Sequence, residues 1–263
     1  KMKKIFLFDM DGTLTPPRLK IDASIIKALK DLSDKGDIGI VTGSDYEYIM
    51  QQCDLLFDLS GIDLRKLHLF PCNGTKHYVW DKTGYKIVHE ADMLKEIGRD
   101  NYRSLVQFCL QSQVEISNEH TSVPLTGTFV QYRGSLLNWC PPGRSANTHE
   151  RHAFVKIDRE QDLRNNYFKK LTKLTADQKM SVTVALGGST SFDIYPDGWD
   201  KTYVMRHLSE YDKVVFCGDK CTPGGNDYAL FELLKNHEVH ESFSVTSPHR
   251  VVQLINSNDV FLS

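Results

Sequence analysis

Two carboxylates, one residue apart, follow a short apolar segment near the start of the chain. Residues 4–8, KIFLF, have the length and composition of a buried strand, and DMDGTLT follows them directly. At a strand end, Asp9 could attack phosphorus as an anion while Asp11 passes a proton to or from the ester oxygen. Gly12 would permit a tight turn that exposes backbone N–H groups to a phosphate. The segment therefore predicts phosphoryl transfer through an aspartyl intermediate; an Asp-Gly turn capped by one carboxylate is the structural alternative.

Later segments, IVTGSD, DGWDK and VVFCGDKCTPGGND, resemble further motifs of a phosphotransferase superfamily and carry other side chains suited to this chemistry. They are Thr42, Ser44, Lys201, Asp219 and Asp227. Asp9, Asp11 and Asp219 would supply the hard oxygen ligands that Mg²⁺ prefers, and the ion would offset charge between nucleophile and phosphate. Lys201 and the hydroxyl of Thr42 or Ser44 would hold the transferring phosphoryl oxygens. Taken singly, Lys201 could instead be a solvated helix residue, and Asp219 a cap on the following loop.

Strands and helices alternate over the first third of the chain. The pattern predicts a helix at 22–35 with Asp22 as N-cap and Gly36 after its end, a strand at 38–45, a helix at 45–52 and a strand at 67–71. Such alternation indicates parallel βαβ units, which bind ligands beyond the carboxyl ends of their strands. Asp9 and Ser44 both fall at such ends.

The middle of the chain has a different pattern. It predicts a helix at 92–113, a hairpin at 126–144, a helix at 159–175, and strands at 181–186 and 191–195. The α/β pattern then resumes with a helix capped by Asp200, a strand at 213–219 and a helix from about Asp227. We therefore predict a core domain built from residues 1–83 and 196–263, with an inserted α+β domain at 84–195.

Composition excludes several classes of protein. The chain has 263 residues, of which 40% are hydrophobic and 25% charged, as in ordinary globular proteins. A net charge of -2 gives no reason to expect nucleic acid or an anionic membrane as a partner. No segment approaches the roughly 18 consecutive apolar residues of a membrane-spanning helix. The irregularly spaced cysteines and the absence of a leader-like start predict reduced thiols and a cytoplasmic protein.

The motifs together resemble those of the haloacid dehalogenase superfamily. DMDGTLT is similar to its first motif, and a hydroxyl residue, a lysine and a late acidic motif follow in the family's order. This resemblance implies a Rossmann-like α/β core with an inserted cap domain that contains an antiparallel sheet. It implies that Asp9 is the nucleophile and Asp11 the general acid/base, with Ser44 and Lys201 also catalytic. Asp9, Asp11 and Asp219 would bind Mg²⁺.

Arginines of the predicted insertion suggest the substrate class. Arg133, Arg144 and Arg151 lie close together in the sequence, and Arg18 lies in a loop of the core. The planar guanidinium group binds phosphate through two parallel hydrogen bonds. An exposed charged face is the alternative interpretation of these residues.

Two segments, TGTFVQYRGSLLNW–PPGR and GGSTSFDIYPDGWDK, closely resemble those of eukaryotic phosphomannomutases. This resemblance implies that the arginines bind the phosphate that is not being transferred, and that the sugar is held by Ser191 and Asp193. It implies interconversion of mannose 6-phosphate and mannose 1-phosphate, with hexose 1,6-bisphosphate as intermediate and activator, for GDP-mannose synthesis. Glucose phosphates are possible substrates, and a homodimer through the cap is expected. The Gly187–Gly188 pair would let the backbone approach a ligand closely.

Two rival functions stay open at this point. A sugar-phosphate phosphatase could use the same scaffold, and a non-catalytic sugar-phosphate sensor is the second alternative. The sensor is disfavoured because Asp9, Asp11 and Asp219 are all present. No second cation site is predicted, since YALFELLKN after GGND lacks the acid that the family usually has there.

Overall fold

The computed structural model describes residues 1–263, which form two compact units. The core unit consists of Lys1–Glu90 and Gly198–Ser263, and the inserted unit of Ala91–Asp197. The predicted boundaries, after residues 83 and 195, differ from these. The first predicted boundary lies in the turn of a hairpin. The second strand of this hairpin pairs with its first strand, so both strands belong to the core unit.

The elements are numbered in chain order. The strands are β1 (Lys4–Phe8), β2 (Asp37–Val41), β3 (Leu67–Phe70), β4 (Lys76–Trp80), β5 (Tyr85–Glu90), β6 (Val130–Tyr132), β7 (Leu137–Trp139), β8 (Val182–Gly187), β9 (Ser191–Pro196), β10 (Lys213–Gly218) and β11 (Glu241–Ser244). The α-helices are α1 (Ala23–Leu32), α2 (Tyr46–Gln52), α3 (Asp54–Leu59), α4 (Met93–Ile97), α5 (Arg99–Glu119), α6 (Thr148–Gln161), α7 (Leu163–Asp177), α8 (Tyr228–Lys235), α9 (Pro248–Ser257) and α10 (Asp259–Leu262).

A seven-stranded sheet in the order β11-β10-β1-β2-β3-β4-β5 organises the core unit. Its first five strands are parallel, and the β4–β5 hairpin extends it antiparallel. Side chains of β1 alternate between two buried clusters: Phe6 and Phe8 pack with α1 and α9, whereas Ile5 and Leu7 pack with α8. Because both faces are covered, every side chain of IFLF is apolar.

The inserted unit contains a four-stranded antiparallel sheet in the order β6-β7-β9-β8. Its helices α5, α6 and α7 each bury an apolar face, which includes Leu105, Phe154 and Leu171 respectively. On the sheet, Trp139 stacks on Phe192 with ring centroids 4.6 Å apart. The structure therefore confirms the α/β core with an α+β insertion that carries an antiparallel sheet.

Several predicted helices have different bounds in the structure. The helix expected at 22–35 ends at Leu32 with Ser33 as its C-cap, so Gly36 lies beyond it. The helix expected at 92–113 is two helices, α4 and α5, because Gly98 interrupts them at φ +83°. The helix expected at 159–175 is also two, α6 and α7. Asn147 and Glu150 form a capping box that starts α6, a sequence signal that the prediction missed.

Two further features concern the helices and the cysteines. None of the helices combines the length and apolarity needed to cross a bilayer. All six cysteines are free thiols.

The helix expected after Asp200 is a 3₁₀ helix, Lys201–His207. Asp200 caps its start by accepting a hydrogen bond from the Thr202 N–H at 2.9 Å.

Candidate active site

A cleft opens at the carboxyl ends of three neighbouring parallel strands of the core unit. Asp9 follows β1, residues 42–44 follow β2, and Asp219 follows β10. The cleft is lined by Asp9, Asp11, Thr42, Gly43, Ser44, Asp219, Lys220 and Asn226. The strand register thus brings four of the predicted catalytic and metal-binding side chains to one place, as expected for ligand sites in parallel sheets.

Three acids form a tight cluster at this cleft. Ligand oxygens of Asp9, Asp219 and Asp227 all lie within 4.8 Å of one another. Lys201 neutralises part of their charge: its Nζ donates to Oδ1 of Asp9 and to Oδ1 of Asp227, both at 2.5 Å. Both Lys201 and Asp227 are fully buried, so this pair lies beneath the cleft rather than in solvent.

Asp227 also orders the loop that follows β10. Its Oδ2 accepts hydrogen bonds from the backbone N–H groups of Asp219 and Lys220, each at 3.1 Å. One buried carboxylate therefore fixes the position of the Asp219 backbone and of the Lys201 ammonium group at the same time. The acid's two oxygens are fully used by these contacts, which suits a residue that positions its neighbours.

Burial controls the protonation of this cluster. Burial raises the pKa of Asp9, the positive charge of Lys201 lowers it, and the negative charge of Asp227 raises it again, to about 7. Burial lowers the pKa of Lys201, but the charges of Asp9 and Asp227 outweigh burial and hold this pKa above its ordinary value. The two acids therefore favour the cationic form of Lys201, and a cation bound beside Asp9 would favour the anionic form of its carboxylate.

The residues present fit a divalent cation. Oδ1 of Asp219 is buried and has no hydrogen-bond partner, which is costly for a carboxylate oxygen unless a ligand reaches it. Gly12 lies against the same carboxylate: a Cβ at this position would be 2.2 Å from Asp219 Oδ2, and φ is +82°. The glycine in DMDGT thus leaves room for the Asp219 side chain beside Asp9.

The Asp11 carboxylate is not part of the three-acid cluster. It accepts hydrogen bonds from the Tyr48 hydroxyl, at 3.2 Å to Oδ1 and 3.1 Å to Oδ2, and from the Arg18 backbone N–H at 3.3 Å. Asp11 was predicted as a metal ligand, but its side chain lies outside this cluster. Asp227 was not predicted as a ligand, but its carboxylate belongs to the cluster. Asp11 nevertheless lines the same cleft as Asp9, as proton transfer at the ester oxygen requires.

The two candidate hydroxyls at the end of β2 have different surroundings. Thr42 is buried, and its Oγ1 accepts a hydrogen bond from the Ser44 backbone N–H at 3.1 Å. Ser44 is half-buried, and its backbone carbonyl accepts a hydrogen bond from the Cys72 N–H at 2.8 Å. The Thr42 side chain shapes the turn that presents Ser44 to the cleft, which favours Ser44 as the hydroxyl that contacts a phosphate.

Part of the predicted substrate-binding set is connected within the inserted unit. Asn138 on β7 pairs directly with Asp193 on β9, and its Nδ2 donates to Asp193 Oδ1 at 2.8 Å. Arg144 donates to Asn138 Oδ1 at 3.3 Å. A Cβ on Gly187 would lie 2.7 Å from Asp193 Oδ2, so this glycine makes room for the carboxylate.

The remaining predicted residues have separate contacts. Arg151 donates to the backbone carbonyls of Ala146 at 3.1 Å and Arg144 at 3.4 Å, and so supports the loop that carries Arg144. Arg133 lies at the β6–β7 turn, where its Nε donates to Gln131 Oε1 at 3.0 Å. Ser191 is buried at the start of β9, and Arg18 is exposed in the loop after β1.

Comparison with known proteins identifies the family. A family model described as eukaryotic phosphomannomutase matches residues 25–261. The chain belongs to the eukaryotic phosphomannomutase family. It is 36% identical over 248 residues to phosphomannomutase 1 of Dictyostelium discoideum, covering 93% of this chain and 92% of the relative. It is 33% identical over 263 residues to the phosphomannomutase of Saccharomyces cerevisiae, covering 97% and 94%.

Solved structures confirm the haloacid dehalogenase fold of this phosphomannomutase family member. An N-terminally truncated IMP-nucleotidase of Plasmodium falciparum superposes with a TM-score of 0.63 at 13% identity, covering 99% of this chain and 71% of that one. A trehalose-6-phosphate phosphatase of Aspergillus fumigatus superposes with a TM-score of 0.57 at 15% identity, covering 97% and 92%. At such identity the likeness shows the shared fold alone.

Three residues of the site in this phosphomannomutase family member have roles that the sequence alone does not show. Asp227 was recognised within its motif but not as the partner of Lys201. Asn138 gave no local signal, because only the β7–β9 register places it beside Asp193. Tyr48 lies on α2, far in sequence from Asp11, and nothing in the spacing connects them.

Proposed function

We propose that this chain is a phosphomannomutase, an isomerase that interconverts mannose 6-phosphate and mannose 1-phosphate through an aspartyl phosphate on Asp9. The observation that carries the proposal is the contact between Lys201 and Asp9 within an acid cluster, in a chain that belongs to the phosphomannomutase family. Hexose 1,6-bisphosphate serves as the intermediate and as the activator that primes Asp9.

Residues of the cleft divide the reaction between them. Phosphorylated Asp9 donates its phosphoryl group to the C1 hydroxyl of mannose 6-phosphate, while Asp11 accepts the proton of that hydroxyl. The resulting 1,6-bisphosphate reorients. Asp9 then attacks the phosphorus at C6, and Asp11 returns the proton to the departing O6. Lys201 and Ser44 hold the phosphoryl oxygens as their charge redistributes.

Asp9 and Asp219 would hold Mg²⁺, with Asp227 and Lys201 fixing their positions. The free Oδ1 of Asp219 supports this assignment, because it is a buried oxygen without another partner. When bound, the ion would offset the negative charge of nucleophile and phosphate. In this set the Asp11 side chain is reserved for proton transfer, which agrees with its contacts outside the acid cluster.

A second phosphate site distinguishes a mutase from a phosphatase, since the bisphosphate must be retained while it reorients. We assign this role to the predicted substrate residues, which are Arg18, Arg133, Arg144, Arg151, Ser191 and Asp193. The connected hydrogen bonds among Arg144, Asn138 and Asp193 support the assignment, because they hold a guanidinium group and a sugar-binding carboxylate in one network.

The product, mannose 1-phosphate, is a substrate class for nucleotidyl transfer, and we propose that the enzyme supplies GDP-mannose synthesis. Glucose phosphates are further candidate substrates. Six free thiols support a cytoplasmic location, where cysteines are kept reduced.

Isomerisation of mannose 1-phosphate, followed by ³¹P NMR with Mg²⁺, tests the proposal. We expect mannose 6-phosphate to accumulate, with a rate that rises when catalytic hexose 1,6-bisphosphate is added and falls to background when EDTA removes the metal. Arg144→Ala should slow isomerisation by about tenfold or more by weakening the grip on the second phosphate. Arg159→Ala, which removes an exposed arginine on α6, is the matched control and should leave the rate unchanged.

Accumulation of inorganic phosphate without a bisphosphate effect would instead identify a sugar-phosphate phosphatase. Binding of hexose phosphates without either reaction would identify the non-catalytic sensor. Both functions are compatible with the acid cluster, but neither requires a second phosphate-binding site.

We also propose a homodimer through the inserted unit. An exposed hollow along α4 and α5 is lined by apolar and polar side chains, which are Leu94, Arg99, Tyr102, Arg103, Val106, Gln107 and Leu110. Leu110 is 52% exposed, and Val114, one turn further along α5, is 59% exposed. The same face on a second copy would cover them symmetrically. Sedimentation velocity should give a dimer that Leu110→Arg converts to monomer, whereas Leu59→Arg, at a residue 75% exposed on α3, should leave it intact. A wild-type monomer would exclude the dimer.

A further inference from the structure

The Asp11 carboxylate is held from several sides. Thr15 Oγ1 donates to Oδ1 at 3.4 Å and the Arg18 backbone N–H donates to Oδ1 at 3.3 Å. Both donors lie in the same loop as Asp11 and reach only one oxygen. The Tyr48 hydroxyl belongs to a different element and reaches both oxygens, at 3.1 Å from Oδ2 and 3.2 Å from Oδ1.

Tyr48 is itself fixed in position. Asp45 caps α2 by accepting a hydrogen bond from the Tyr48 backbone N–H at 2.9 Å. The next residue, Ile49, is fully buried in the core cluster and anchors the helix. A phenol is protonated at neutral pH, so the Tyr48 hydroxyl is a donor to the Asp11 carboxylate.

This geometry has a catalytic use. A carboxylate can rotate about its Cβ–Cγ bond, and a cation beside Asp9 would attract it. A donor that bridges both oxygens opposes that rotation and keeps the carboxylate directed to the ester oxygen. Proton transfer depends on such alignment, whereas nucleophilic attack by Asp9 does not.

We propose that Tyr48 is a positioning residue, whose hydroxyl holds the Asp11 carboxylate in the orientation from which it exchanges a proton with the sugar oxygen. The proposal rests on the proposed function, in which Asp11 is the general acid/base. It gives Tyr48 a role that depends on the leaving group. A sugar alkoxide needs the proton, whereas acetate leaves readily without one.

Single-turnover phosphorylation of Asp9 from two donors tests this role. With hexose 1,6-bisphosphate, Tyr48→Phe should phosphorylate the protein about tenfold more slowly than wild type, because the acid is no longer aligned. With acetyl phosphate, the two proteins should react within twofold of each other. In steady-state isomerisation, kcat of Tyr48→Phe should fall by about the same factor as its rate of phosphorylation by the bisphosphate. Its KM should stay within twofold of the wild-type value.

Tyr46→Phe is the matched control, since it removes the same hydroxyl from the same helix. Tyr46 stacks on Tyr78 with ring centroids 4.3 Å apart, and this contact survives the loss of oxygen. We expect wild-type rates with both donors. Equal slowing of both donors by Tyr48→Phe would assign a merely structural role to the hydroxyl, and unchanged rates would remove its role altogether; either result overturns the proposal.

The comparison also separates this inference from the proposed function. Phosphorylation by the bisphosphate does not require isomerisation, so the ratio of the two donor rates remains measurable in an enzyme that only releases inorganic phosphate. Failure of the mutase activity is visible in the wild type, whereas failure of the Tyr48 role is visible only in the variant.

Discussion

Asp9→Asn is expected to abolish transfer of a phosphoryl group to the protein. An amide oxygen lacks the negative charge and nucleophilicity of the carboxylate, and loss of a covalent nucleophile removes at least about a thousandfold in rate. The fold should survive, because asparagine has the same shape and Lys201 keeps its contact with Asp227. Intact-protein mass after incubation with acetyl phosphate and Mg²⁺ measures the covalent phosphate.

Asp11→Asn is the informative contrast to this variant. It retains the nucleophile, so acetyl phosphate should still phosphorylate it, whereas hexose 1,6-bisphosphate should not, because its leaving oxygen needs a proton. Covalent phosphate on Asp9→Asn at the wild-type rate would refute the nucleophile assignment. Loss of reaction with both donors in Asp11→Asn would show that Asp11 does more than transfer a proton.

Lys201→Met is expected to destabilise the metal-free protein by about 3–5 kcal/mol, the usual cost of leaving a buried charge without its partner. Asp227 has no exposed surface and would keep only its two backbone donors. Methionine fills a similar volume, so the effect reports charge rather than a cavity. Urea denaturation in EDTA measures the free energy of unfolding, and activity should fall by about a hundredfold or more.

A double variant and a surface control complete this test. Lys201→Met combined with Asp227→Asn should recover part of the lost stability, since it removes one of the unpaired charges. Lys173→Ala breaks an ion pair with Asp177 whose side chains are 76% and 61% exposed, and it should leave the unfolding midpoint unchanged. An unaltered midpoint in Lys201→Met would show that the buried pair does not support the fold.

The sequence was sufficient for the parts of the fold that depend on local patterns. KIFLF followed by DMDGT predicted both a buried strand and a nucleophile at its end, and the structure gives β1 at Lys4–Phe8 with Asp9 at the cleft. Alternating strands and helices predicted the parallel sheet, because this alternation is typical of βαβ units. The order of the motifs predicted the family, which the comparisons confirm.

Features set by contacts between distant segments were not predictable in this way. The β4–β5 hairpin was divided between two domains because DKTG is a turn signal, and a turn signal cannot say whether the next strand returns to the sheet. A single helix was predicted at 92–113, although the positive φ of Gly98 separates α4 from α5. Asp227, Asn138 and Tyr48 have roles defined by partners elsewhere in the chain, which local spacing does not encode.

The position of β1 between β2 and β10 has a consequence for protein synthesis. On the ribosome, β1 and β2 emerge early, but β10 emerges only after the whole inserted unit. Until then one edge of β1, which is apolar from Ile5 to Phe8, lacks a partner, a condition that favours aggregation or chaperone binding. The inserted unit can fold meanwhile as a continuous segment. The buried pair of Lys201 and Asp227 can form only once residue 227 has been translated. The proposed catalytic centre is therefore among the last parts of the molecule to form.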